Sequence, residues 1–160
     1  MESYRETNWW KYLEEPMQDL VKESFLLLER ERGSRDGWHD YSFVVFPMAK
    51  AYEGFLKKLF LDLKLISRQQ YFGEHFRIGR ALNPNLPKRY RSGWVYGKLV
   101  DYCGSEDLPL TLWGVWKKAR NQIFHFFPDH HQFISLGQAS RLIDELGGVM
   151  EQALRGCRLA

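Results

Sequence analysis

Tyr41-Ser42-Phe43-Val44-Val45-Phe46-Pro47-Met48-Ala49-Lys50-Ala51-Tyr52-Glu53-Gly54-Phe55-Leu56-Lys57-Lys58-Leu59-Phe60-Leu61-Asp62-Leu63-Lys64-Leu65 carries the clearest periodic signal in the chain. Phe43, Phe46, Ala49, Tyr52, Leu56, Leu59, Phe60 and Leu63 recur at steps of three and four, the spacing of one helix face. Lys50, Glu53, Lys57, Lys58, Asp62 and Lys64 mostly fall between them. The pattern predicts an amphipathic helix over about 41–65. Pro47 lies in its first turns and predicts a kink or a late start, because its ring removes a backbone donor.

The same reading extends to both sides. Residues 8–32 read as helix, with Asn8 as a cap and Leu20, Val21, Phe25 and Leu28 at helical spacing. Pro16 predicts a restart after a short lead-in turn, and Gly33 to Gly37 supply a loop. Residues 107–127 form an apolar helix that Pro128 stops, and 135–157 a final one capped by Ser135. Between 66 and 107 the periodicity is weak, with short helices at 76–82 and 96–102. No segment alternates at period two, and no repeat or linker divides the chain. The expected architecture is all-α: one domain over residues 1–160, a bundle of four main helices plus short extra helices.

Composition supports a packed core. Apolar residues make up 44% of the 160 and aromatic ones 16%, with six Trp, far from the profile of a disordered chain. A net charge of +3 is compatible with a phosphate-bearing partner without requiring one. Cys103 and Cys157 have no C-x-x-C spacing, so thiolate metal sites and a disulfide scaffold are not expected. They read as small buried residues in a reducing compartment. No segment resembles a signal peptide or approaches the roughly 20 apolar residues of a membrane span, so a cytoplasmic location is expected. No phosphate-loop glycine motif and no cofactor motif is present. His125, His130 and His131 are a poor metal set, because adjacent histidines do not easily reach one ion.

Chemistry concentrates in Lys117-Lys118-Ala119-Arg120-Asn121-Gln122-Ile123-Phe124-His125-Phe126-Phe127-Pro128. Arg120, Asn121 and His125 stand out there as polar residues at an apolar helix end. Arg five before His is a common spacing, and Arg68 with His75 is a looser second instance. The context gives the first pair its weight: an apolar helix end, Asn after the Arg, and a preceding long helix bearing Glu53. On a continuous α-helix, Arg120 and His125 would stand about 140° apart. Either the helix loosens before His125 or the site uses both sides of a crevice.

This R-x4-H arrangement with Asn in its first variable position resembles the HEPN superfamily of helical ribonucleases. The resemblance extends over about residues 41–155. Phe46 to Leu59 looks like the acidic second helix of HEPN domains. Together with Phe76-Arg77-Ile78-Gly79 and Trp116 to Phe127, it is most similar to the HEPN domain of the RNase LS family of toxins from toxin–antitoxin systems. Those toxins are longer, with N-terminal domains that have no counterpart in these 160 residues, so their regulation is not carried over. The resemblance implies an endoribonuclease serving as toxin or defence effector. It also implies a homodimer whose active cleft lies at the dimer interface, and a cognate antitoxin as partner.

No metal or cofactor is needed for such chemistry, because RNA supplies the 2′-OH as nucleophile. His125 is placed as general base to that hydroxyl or general acid to the 5′-oxygen. Arg120 would hold the phosphate, and Asn121 would orient the phosphate or His125. Glu53 would fix the His125 tautomer or hold Arg120. The products would be a 2′,3′-cyclic phosphate and a 5′-hydroxyl. Lys117 and the loop cations Lys88, Arg89 and Arg91, beside Tyr90 and Trp94, are candidate RNA contacts. Structural alternatives stay open: Arg120 capping its helix or pairing with an acid, His125 packed among Phe124, Phe126 and Phe127, and Glu53 as an i,i+4 partner of Lys57. A non-catalytic dimerisation or RNA- or protein-binding module is the alternative function.

Overall fold

The computed structural model describes residues 3–35, 37–129 and 132–157. Among them are eight α-helices and no strand: α1 (Asn8–Tyr12), α2 (Glu15–Gly33), α3 (Ser42–Asp62), α4 (Arg68–Phe72), α5 (Ile78–Ala81), α6 (Tyr96–Cys103), α7 (Asp107–Trp116) and α8 (Leu136–Gly156). Turns of 3₁₀ type occupy Ser3–Glu6 and Lys88–Tyr90, and a π-helical segment, Lys117–Gln122, follows α7. The chain is all-α. No helix among the described residues is long and apolar enough to cross a membrane.

α3 is the axis of the bundle. Val44, Val45, Met48, Phe55, Leu56, Leu59 and Phe60 are wholly buried, because α2, α7 and α8 pack on it. Two polar groups are buried with it, and each finds a backbone carbonyl. Ser24 Oγ donates to Val44 O at 2.5 Å, and Tyr52 OH donates to Leu112 O at 3.0 Å. These bonds fix α3 to α2 and α7 without leaving an unsatisfied hydroxyl in the core. Burial also pushes the Tyr52 phenol well above its ordinary pKa, so it acts as a neutral donor.

Several expected boundaries move, each for a local reason. α3 begins at Ser42 and runs through Pro47, so the late start expected there does not occur. The expected helix over 8–32 is divided at Leu13 and Glu14, and Pro16 sits in the first turn of α2, where its missing N–H costs nothing. Thr7, not Asn8, caps α1: Thr7 Oγ1 accepts from Trp10 N at 3.3 Å, while Asn8 Nδ2 donates to Glu151 at 2.9 Å. α4 lies in the segment of weak periodicity and is marked instead by a reciprocal capping box between Ser67 and Gln70. Ser135 caps α8 as expected, again with a box, to Gln138. The largest correction concerns 107–127. Regular α-helix ends at Trp116, the π-helical segment ends at Gln122, and His125 lies beyond it.

Cys103, at the end of α6, and Cys157, just after α8, are distant in sequence yet stand near enough for each thiol to bear on the other. Both remain free thiols. Burial, reinforced by Cys103, pushes the Cys157 thiol up to about 12.

Candidate active site

Phe46, Lys50, Glu53 and Lys57 follow one another along α3 at steps of four, three and four, so they share a stripe. That stripe faces the π-helical segment. A π-turn closes its hydrogen bond one residue later than an α-turn, which rotates the following side chains out of α-helical register. Arg120, in this segment, reaches across to the Glu53 carboxylate and forms an ion pair with it. Lys57 Nζ stands 3.9 Å from the other Glu53 oxygen. Glu53 therefore sits between two cations, 19% exposed, against 44% for the Arg120 side chain. Burial and the neighbouring Arg77 guanidinium hold the Lys57 ammonium below its ordinary pKa. These groups, with Phe46, Lys50 and Phe124, line a shallow depression of about 340 Å³.

His125 occupies the adjoining depression, about 330 Å³, with Asp40, Ser42 and Phe133. Phe46 and Phe124 border both, their rings 5.3 Å apart and edge-on. The Arg and the His therefore lie on opposite flanks of an aromatic ridge. Of the two geometries open to the sequence, the loosening of the helix before His125 is present, whereas a ridge and not a crevice lies between the two side chains. Glu53 contacts Arg120 and Lys57, the acid pairing and the i,i+4 partnership that the sequence left open, and has no hydrogen bond to His125. Asn121 is exposed beside Arg120, and its side chain makes no hydrogen bond among the described residues. His125 is exposed, its ring 6.1 Å from that of Phe127. The apolar rim is open to solvent, with Phe46 at 52% and Phe126 at 72% exposure.

Asp40 is the residue the sequence reading missed. Its Oδ1 accepts from Ser42 N and from Ile134 N, both at 3.1 Å, and its Oδ2 accepts from Ser42 Oγ at 2.6 Å. Tyr41 N donates to Ile134 O at 2.9 Å. Asp40 thus starts α3 and ties the chain returning from His125 back onto it. The Asp40-x-Ser42 pair is a turn signature that could have flagged it. Lys50, in the Arg120 depression, is a second such residue, legible only once α3 is placed.

The remaining candidates separate. Lys117 opens the π-helical segment and is exposed. Lys88, Arg89 and Arg91 line neither depression. Arg91 lies 4.0 Å over the Trp94 ring and donates to Leu86 O at 2.9 Å, so it braces its loop. Arg89 stacks on Tyr90 at 4.7 Å, and Lys88 is exposed. His130 and His131 lie outside the described residues. Gly79 in α5 packs against Trp116, where an added Cβ would fall 2.4 Å from Cη2. The indole thereby wedges between α5 and the end of α7, its Nε1 buried without a partner among the described residues. No family model, no curated protein and no solved structure matches this chain.

Proposed function

We propose that the chain is a metal-independent endoribonuclease of HEPN type, its all-α fold an HEPN-like bundle. The observation that carries this reading is the Arg120–Glu53 pair, built where the helix loosens, with His125 exposed across the Phe46–Phe124 ridge. Glu53 occupies part of the guanidinium's five-donor fork, and the remaining N–H groups are free to grip a phosphate oxygen. Lys50 and Lys57 add charge on the same flank. His125 takes the proton from the 2′-OH or delivers one to the departing 5′-oxygen, and Asn121 orients the phosphate. The 2′-oxygen forms its bond to phosphorus as the bond to the 5′-oxygen breaks. A 2′,3′-cyclic phosphate and a 5′-hydroxyl result.

One chain alone separates its Arg from its His by an aromatic ridge. A second copy completes the site if the two ridges pack about a two-fold axis, bringing two Arg120–His125 pairs into one cleft. Trp38, Phe43, Phe46, Phe126 and Phe127 offer the exposed apolar surface such a contact needs. A toxin or defence effector acting on cellular RNA in the cytoplasm, silenced by a cognate antitoxin, is the biological setting that fits such an enzyme.

The binding-module reading has its own supporting observation. Arg120 is engaged by Glu53, and the two depressions are distinct, as an RNA- or protein-binding surface without turnover would also have them. The test is incubation with end-labelled single-stranded RNA in chelator, beside His125→Ala. Cleavage by the wild type, leaving cyclic-phosphate ends, should fall by about 10²–10⁴-fold in the variant. RNA binding without cleavage by the folded wild type would favour the module.

A further inference from the structure

A second cleft lies away from the ridge, between α4, α5 and the loop over residues 88–94. It measures about 330 Å³, and Gln69, His75, Arg77, Arg80, Ser92 and Gly93 contribute to its lining. Its charge is one-sided, since no carboxylate among the described residues lines it. Three arginines elsewhere are compensated by carboxylates: Arg32 pairs with Glu29 at 2.8 Å, Arg155 with Glu151 at 3.2 Å, and Arg120 with Glu53. Arg77 and Arg80 instead are held by backbone carbonyls. Arg80 donates from Nε and Nη2 to Tyr90 O at 3.3 and 3.2 Å, and Arg77 donates to Glu74 O. A carbonyl fixes a guanidinium without neutralising it, so both charges stay positioned for an anion. His75 makes no hydrogen bond among the described residues. Tyr90, 43% exposed, lies beneath the Arg80 and Arg89 guanidiniums at 5.7 and 4.7 Å and presents a ring on which a base can stack.

The cleft is tied to the candidate active site through the fold. Gly79, between the two arginines, is the residue that packs on Trp116, and the π-helical segment bearing Arg120 starts one residue later. α5 also packs on α3. Arg77 adds to burial, the larger cause, in disfavouring the charged form of Lys57, which lines the Arg120 depression. Arg120, Lys57, Arg77 and Arg80 thus mark a cationic track.

We infer that the cleft of His75, Arg77 and Arg80 is a second phosphate subsite, which holds the backbone of a single-stranded RNA whose scissile phosphate lies at Arg120. The inference rests on the ribonuclease reading for the identity of the strand. Two lost phosphate contacts on a single strand reduce the slope of log affinity against log salt by about 1.4, at about 0.7 each.

The test measures binding of a fluorescent 12-nucleotide RNA in chelator across a salt series, and cleavage of that RNA and of a dinucleotide too short to span both sites. Arg77→Gln with Arg80→Gln should lose the predicted slope and raise KM for the 12-mer, with dinucleotide cleavage unchanged. Arg77→Lys with Arg80→Lys keeps the charges and should restore most of the slope, which separates charge from folding. His75→Gln, at a side chain with no bonded partner, should weaken 12-mer binding without lowering the melting temperature. Unchanged 12-mer affinity and slope in the Gln pair would overturn the subsite, and persisting dinucleotide cleavage would leave the ribonuclease reading intact. Displacement of the 12-mer by adenosine monophosphate at equal concentration would also overturn it, in favour of a free-nucleotide site. RNA binding that depends on Arg77 and Arg80, without any cleavage, would uphold the cleft and remove the ribonuclease. No binding by the wild type would remove both.

Discussion

Glu151 and Glu53 each pair with an arginine, yet the two glutamates are built for different work. Glu151 in α8 accepts from Asn8 Nδ2 at 2.9 Å, from Trp9 N at 3.0 Å and from Arg155 Nη2 at 3.2 Å. It closes the start of α1 over α8, with Trp9 buried against Gly147 beneath it. Its carboxylate is filled by donors of the scaffold. Glu53 has only cations, Arg120 and Lys57, and both line an open depression. A carboxylate that satisfies backbone N–H groups serves the fold, whereas one that merely holds a half-exposed guanidinium leaves that guanidinium usable. The helices differ in the same sense: α8 begins with a reciprocal cap, while α7 unwinds into a π-turn without one.

The comparison breaks first at Glu151. Glu151→Ala strands the Trp9 amide and the Asn8 amide group and should cost about 1–3 kcal/mol in urea unfolding, with RNA cleavage per folded molecule unchanged. Acid provides a gentler version. Hydrogen bonds from Asn8 and Trp9, helped by Arg155, outweigh burial and hold the Glu151 carboxyl below its ordinary 4.5. A depressed folded pKa contributes stability that is complete above pH 4.5 and is lost as pH falls through the lower folded value. Melting temperature should therefore drop on that acid limb, and Glu151→Gln should flatten the drop. Glu53→Gln sharpens the contrast from the other side: the pair is partly exposed, so the stability cost should stay under about 1 kcal/mol. Cleavage should nevertheless fall several-fold, because Arg120 loses its anchor. A stability loss at Glu53 matching that at Glu151 would erase the distinction.

One side of this contrast, Glu53, was legible before the structure, and what was not has physical causes. The periodicity of 41–65 located α3 and, with it, the stripe that carries Glu53. The capping chemistry of Ser135 located the start of α8, since caps are local in sequence. The π-turn was not legible, because it accompanies the seating of Trp116 against Gly79, a contact between residues 37 apart in the chain. Arg120 and His125 could be named but not placed, for the same reason. Asp40 was overlooked because its second partner, Ile134 N, is brought to it only by the fold. The thiol pair of Cys103 and Cys157 likewise depends on how α6 meets the end of α8.

The most direct test is Arg120→Ala, with cleavage of labelled single-stranded RNA in chelator read beside its melting temperature. Cleavage lost by a factor of about 10² or more, with melting within a few degrees of wild type, is the expected result. Retained cleavage with a sharply lowered melting temperature would make Arg120 a scaffold residue like those around Glu151 and would contradict the assignment of the site.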